Sequence, residues 1–231
     1  MAKHRFEYRD NGPWFAENVS VIGSFNQFDP AQGQMTKTGG TWTLDRELPP
    51  GEYMYRFLVN GEIEFNDPYA NIYYPDDNNK LYSVILVDKD GKRRYNNTEY
   101  TVHIDSYSIS GEITRDAHDN VRKTYDLNRD KQVVTRFGFS SVTGLHTVTA
   151  VWMSPDGKVF EYSENVLFTP EEDTRDPIYI WFWLSLEREL LHGPWDIFLY
   201  IDGEFILEDT FDITVQKSLY ESTMPLYPTR P

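Results

Sequence analysis

The chain has no cysteine among its 231 residues. That excludes disulfide staples, thiolate metal sites and cysteine nucleophiles. Positive charge is scarce: 22 Lys and Arg stand against 37 Asp and Glu, a formal net charge of −15. A surface of that sign repels phosphate backbones and anionic lipid. Nucleic acid and membrane are therefore not expected partners, whereas neutral ligands such as sugars remain open. Long apolar runs are missing too. The longest, Ile178 to Leu184, is far too short to span a bilayer. The opening MAKHRFEYRD lacks the apolar stretch of a secretory leader, so a cytoplasmic location is the expectation. The five histidines, His4, His103, His118, His146 and His192, have neither metal-ligand spacing nor a nucleophile motif to serve. No glycine-rich phosphate loop occurs. The stretch DLNRDKQ, with Asp126, Asn128 and Asp130, has the start of a calcium loop, but Lys131 stands where glycine is needed and Phe137 where glutamate is needed. No metal, no cofactor and no catalytic activity are expected.

What the chain does have is aromatic residues, 16 Tyr, 14 Phe and 6 Trp, in runs of period two rather than 3.6. In YMYRFLV, Tyr53, Tyr55, Phe57 and Val59 share one face, and Met54, Arg56 and Leu58 the other. WDIFLYI alternates in the same way. Both runs end in hairpin pairs, Asn60-Gly61 and Asp202-Gly203, that tolerate the positive φ of a type I′ turn; Asp156-Gly157 is a third. Short strands with frequent turns predict an all-β chain of two tandem immunoglobulin-like sandwiches. The polar stretch after LYSVILV marks the boundary: residues 1–95 form the first domain and 96–216 the second. Residues 217–231, with three prolines, form an extended tail. Trp42 shares a face with Leu44 and Leu48, and Trp152 with Val148 and Ala150, so both are read as core residues. PIYIWFWLSL is apolar on both faces, so one face fills the sandwich and the other needs a cover, from the first domain, the tail or a second chain.

The stretch VIGSFNQFDP places Phe25 and Phe28 in one turn. Phe25 is read as core and Phe28 as the outward ring. Together with M…G-x-W, L-P-P-G-x-Y-x-Y-x-F-x-V-x-G and D-P, this turn resembles a family 48 carbohydrate-binding module over about Asn18 to Val87. That family includes the glycogen-binding domain of the AMP-activated protein kinase β subunit and the N-terminal domains of isoamylases. The resemblance implies non-catalytic binding of an α-1,4-glucan. Pyranose C–H groups pack on aromatic faces, with polar groups at the rim for hydroxyls. It places Phe28 where the family usually has tryptophan and Arg56 where it usually has lysine. The second aromatic falls on Phe65 or is replaced by Ile63, and a polar loop falls at Asn78 and Asn79. The departures lie on sugar-contacting positions, while the frame is intact. The alternative reading is therefore a structural or protein-contact module that has kept the fold and lost the site. Its partner would be another protein or a second copy of the chain, met through the second domain and tail. The second domain is similar to immunoglobulin-like accessory modules.

Overall fold

The computed structural model describes residues 2–13, 16–70, 72–96, 99–113, 122–169, 177–187 and 189–215. The tail expected at 217–231 lies outside them. The N-terminal strands are β1 (Ala2–Arg9), β2 (Val19–Gly23), β3 (Thr36–Thr38), β4 (Thr41–Leu48), β5 (Gly51–Val59), β6 (Ile63–Phe65), β7 (Tyr73–Pro75), β8 (Leu81–Val87) and β9 (Arg93–Arg94). The C-terminal strands are β10 (Thr101–Ser110), β11 (Thr124–Asp126), β12 (Gln132–Thr143), β13 (His146–Met153), β14 (Val159–Leu167), β15 (Ile178–Ser185), β16 (Gly193–Ile201) and β17 (Glu204–Thr214). Among the described residues no helix is long and apolar enough to cross a membrane.

Four sheets form two sandwiches. In the first, β1-β4-β3 faces β2-β5-β8-β7, with β6 added to β5 and β9 to β8. Alternation sorts the side chains: Tyr55, Phe57 and Val59 of β5 turn inward with Phe6, Tyr8, Val21, Leu81 and Ile85. In the second, β10-β12-β15 faces β11-β17-β16-β13-β14. Trp152, Trp195, Phe137, Phe139, Phe182 and Phe211 fill the space between. Trp42 is buried as the alternation requires. The hairpin pairs have the positive φ their chemistry allows, at Asn60, Gly61, Asp202 and Gly203.

The two sandwiches share a core. Val151 and Met153 of β13, with Phe198 and Tyr200 of β16, point away from the second core and join the first. The Tyr200 ring lies 4.5 Å from Phe65. The Asn66 amide donates to Thr147 Oγ1 at 2.8 Å. At the β16–β17 turn, Gly203 has φ +88°, and a Cβ there would sit 2.2 Å from the Asn66 carbonyl oxygen. The approach therefore requires glycine. The first sandwich thus covers the outer face of β13, β14 and β16. It does not cover the aromatic face of β15, for which it was one expected cover.

Close to this junction, His146 is buried with acceptors at both ring nitrogens. Nδ1 lies 2.7 Å from the Asp202 carboxylate, and Nε2 lies 3.1 and 3.0 Å from the carbonyls of Thr101 and Thr143. A neutral imidazole donates from one nitrogen only, so this setting demands the imidazolium. Burial works against the charge, but the Asp202 bond, its charge and the two carbonyls outweigh it, and the His146 pKa is raised.

Candidate functional site

The turn after β2 sets Phe28. Asn26 is buried. Its Oδ1 accepts the Gly23 N–H at 2.8 Å, and its Nδ2 donates to the carbonyls of Val21 at 2.9 Å and Asp29 at 3.3 Å. With the chain cross-tied in this way, Gln27 and Phe28 take φ of 57° and 59°. Left-handed backbone at two consecutive residues with β-carbons costs on the order of 1–3 kcal/mol each, and such strain gathers at ligand sites. The consequence is a Phe28 ring that is 41 % exposed, held edge-on to Tyr82 at 5.7 Å. Phe25 turns the other way and packs on Phe6 at 5.2 Å.

Tyr82 lies on β8 between Leu81 and Ser83, which face the core, so it faces out. Its antiparallel partner on β7 is Tyr74, which is 44 % exposed. Phe28, Tyr82 and Tyr74 thus form a ridge of three rings on one face of the sheet. Asn78 and Asn79 sit exposed at the tip of the β7–β8 hairpin that carries two of these rings. The tip is fixed by Asp76, whose Oδ1 accepts the N–H groups of Asn78 and Lys80, both at 2.8 Å. The Lys80 ammonium lies 5.6 Å from the Tyr82 ring centroid and 2.7 Å from Glu64. Burial, and then the Glu64 charge, raise the Tyr82 phenol above its ordinary value. It is therefore a neutral donor at physiological pH.

Two expected contacts are corrected by this geometry. Arg56 does lie under the ridge, 5.9 Å from the Tyr82 ring, but it is only 1 % exposed. Its guanidinium is bonded to Glu164 of β14, with Glu64 at 3.9 Å. A second sheet has turned the outward face of β5 into an interior. Phe65 is 0 % exposed beneath Tyr200, and Ile63 is equally buried. None of these side chains presents a surface to a ligand. Phe28, Asn78 and Asn79 are accessible, and Tyr82 and Tyr74 join them. Sequence reasoning passed over both tyrosines, although LYSVILV alternates in a way that puts Tyr82 opposite Leu81 and Ser83.

A separate cleft of about 830 Å³ opens at the junction of the sandwiches, bordered by Tyr69, Tyr100, His103, Asp202 and Glu204. Its deepest polar pair, His146 and Asp202, is already committed to itself and to the backbone. Among the described residues no group of three or more His, Asp or Glu is placed to hold a metal ion. Asp126 and Asp130 instead accept the N–H groups of Asn128 and Asp126.

No curated protein is similar to the chain. Among solved structures, an immunoglobulin-like protein from Pseudomonas aeruginosa is 14 % identical over 49 % of this chain and 97 % of its own, with a TM-score of 0.36. An alkylpurine DNA glycosylase from Pseudomonas fluorescens is 13 % identical, matched over 48 % of this chain and 30 % of its own, with a TM-score of 0.33. A β-glucosidase from Listeria innocua is 12 % identical, matched over 53 % and 16 %, with a TM-score of 0.31. This chain thus spans less than a third of the glycosylase and of the glucosidase. The family resemblance read at Asn18 to Val87 stands and reaches further at both ends: residues 3–93 match the family described as the glycogen recognition site of AMP-activated protein kinase.

Proposed function

We propose that this protein binds a neutral α-1,4-glucan of the glycogen or starch type, without catalysing its conversion, on the Phe28–Tyr82–Tyr74 ridge. The observation that carries this reading is three exposed or half-exposed rings sharing one face with the polar Asn78–Asn79 tip and Lys80. Sugar rings stack on such rings through C–H groups, and amides and an ammonium serve their hydroxyls. The family match over residues 3–93 supports the same ligand class. Stacking at about 1–1.5 kcal/mol per ring gives short oligosaccharides affinities near 1 mM, and longer glucans gain by repetition. We propose also that the N-terminal module ends near residue 95 and that the second sandwich supports it from behind.

The burial of Arg56 and Phe65 favours a second reading, in which the module packs on its neighbour and binds no sugar. Native gel electrophoresis through glycogen, beside a sugar-free gel, separates the two. Wild type is retarded on the first reading, and Phe28→Ala and Tyr82→Ala each lose the retardation while keeping the wild-type melting transition. Unretarded wild type refutes glucan binding.

A further inference from the structure

The ammonium at the rim of the ridge is the outer end of a line of charges that runs inward through the sheet. Leu81 faces the core, so Lys80 and Tyr82 on either side of it both face the ridge. Glu64 of β6 accepts from Lys80 Nζ through Oε2 at 2.7 Å. The same oxygen lies 3.9 Å from Arg56 Nη1. The other nitrogen of that guanidinium, Nη2, donates to Glu164 Oε2 of β14. Charges therefore alternate, Lys80, Glu64, Arg56, Glu164, from the half-buried rim to the second sandwich. Both cations also sit by the Tyr82 ring, Lys80 at 5.6 Å and Arg56 at 5.9 Å.

The two carboxylates are not equivalent. Arg56 is buried, and a guanidinium does not give up its charge. A buried cation without a carboxylate is costly, so Arg56 holds one wherever it can reach one. Glu164 is that partner, and Glu64 at 3.9 Å is its nearest competitor. Because Glu164 satisfies Arg56, Glu64 is left to Lys80. A lysine alone is a flexible stem with three donors, freely rotating in water. Bonded to Glu64, Lys80 uses one N–H and keeps two for a ligand, at a fixed place beside Tyr82. The freedom that a side chain loses on meeting a ligand is then already lost before binding.

We propose that Glu64 is a positioning residue of the ridge, holding Lys80 beside Tyr82 for a sugar hydroxyl, and that Glu164 leaves it free to do so by occupying Arg56. Given the ridge as the glucan site, on which this assignment rests, the second sandwich gains a part in binding that needs no contact with the sugar. Arg56 takes no part in binding; it is the rival for Glu64 that Glu164 keeps engaged. The ligand is neutral, so removing one charge has little effect through the field alone, and the placement of Lys80 is what binding reads.

Dissociation constants from native gels run through a series of glycogen concentrations, well below the melting transition of each variant, test this. Lys80→Ala and Glu64→Gln should each weaken binding by roughly three- to tenfold, the worth of one pre-ordered side chain. Glu164→Gln should match Glu64→Gln, because Arg56 then draws Glu64 away from Lys80. On a Lys80→Ala background, Glu164→Gln should add nothing. The decisive variant combines Arg56→Met with Glu164→Gln. With no buried cation to draw on Glu64, wild-type affinity should return, whereas a merely loosened fold would not be rescued by a second substitution in the same place. If wild type is retarded and Phe28→Ala is not, yet Glu64→Gln or Lys80→Ala binds as wild type, the positioning role is overturned and the ridge stands. A Glu164→Gln variant that binds as wild type, or whose loss Arg56→Met fails to rescue, overturns the link to the second sandwich. A wild type that glycogen does not retard refutes the ridge and this assignment with it.

Discussion

The pair that joins Arg56 to Glu164 makes a quantitative claim about how the two sandwiches sit. The arginine is buried and its carboxylate partner comes from the other sandwich. Glu164→Gln keeps the shape and removes the charge. Taking one partner from a buried pair costs about 3–5 kcal/mol. Here Glu64 remains near the guanidinium and Glu164 keeps some access to water, which lowers the expected loss to about 2–3 kcal/mol. In a chain of this size that is a fall in Tm of roughly 4–12 °C. Replacing both residues by methionine removes the charges together and should cost no more than about 1 kcal/mol. The double-mutant cycle, read by urea unfolding of wild type, Glu164→Met, Arg56→Met and the double variant, should therefore give a coupling of about 2 kcal/mol. Because the pair is shielded, the coupling should persist in high salt. A coupling below about 0.5 kcal/mol, or one that vanishes with salt, refutes the packing of β14 over β5. The same variants separate structure from binding: Arg56→Met, assayed well below its Tm, should retain wild-type glucan retention.

Other consequences are direct. The raised pKa of His146 stabilises the fold fully below about pH 6.5, the ordinary histidine value, and the contribution is lost as pH rises through the raised folded value. Thermal melts should show Tm falling on that alkaline side in wild type and flat there in His146→Gln; a wild-type profile with no such fall contradicts the imidazolium assignment. Asn26→Ala strands the Gly23 N–H and the Val21 carbonyl, and should cost about 2–3 kcal/mol by urea unfolding. It should also loosen Phe28, visible as weaker retardation in glycogen gels. Phe65→Ala empties a fully enclosed position and should cost about 3–5 kcal/mol; a loss under about 1 kcal/mol would mean that Tyr200 does not cover it.

Much of the architecture is legible in local pattern. The alternation of Tyr53, Tyr55, Phe57 and Val59 and the Asn60-Gly61 and Asp202-Gly203 turns depend on neighbours in the chain, and they appear in the fold. Phe28 is legible for the same reason, since the turn that expels it is built from residues 23–29. The fate of Arg56 and Phe65 is not legible. Alternation says correctly that Arg56 points away from the first core, but whether that direction meets water or another sheet depends on β14, more than a hundred residues later. Phe65 fails as a site for the same reason, with Tyr200 as the lid. Tyr82 was recoverable, because pairing YYP with KLYS across the DDNN tip places Tyr74 and Tyr82 side by side.

The shared core also governs how the molecule can be dissected. A fragment ending near residue 95 would leave Phe65, Ile63 and Tyr8 without Phe198 and Tyr200, and Arg56 without its counter-ion. Such a fragment would present a greasy flank and a stranded cation that the whole chain never shows to solvent. Sugar retention or self-association measured on it would report that artificial flank as well as the ridge. The smallest faithful unit for studying the N-terminal module is therefore the pair of sandwiches together.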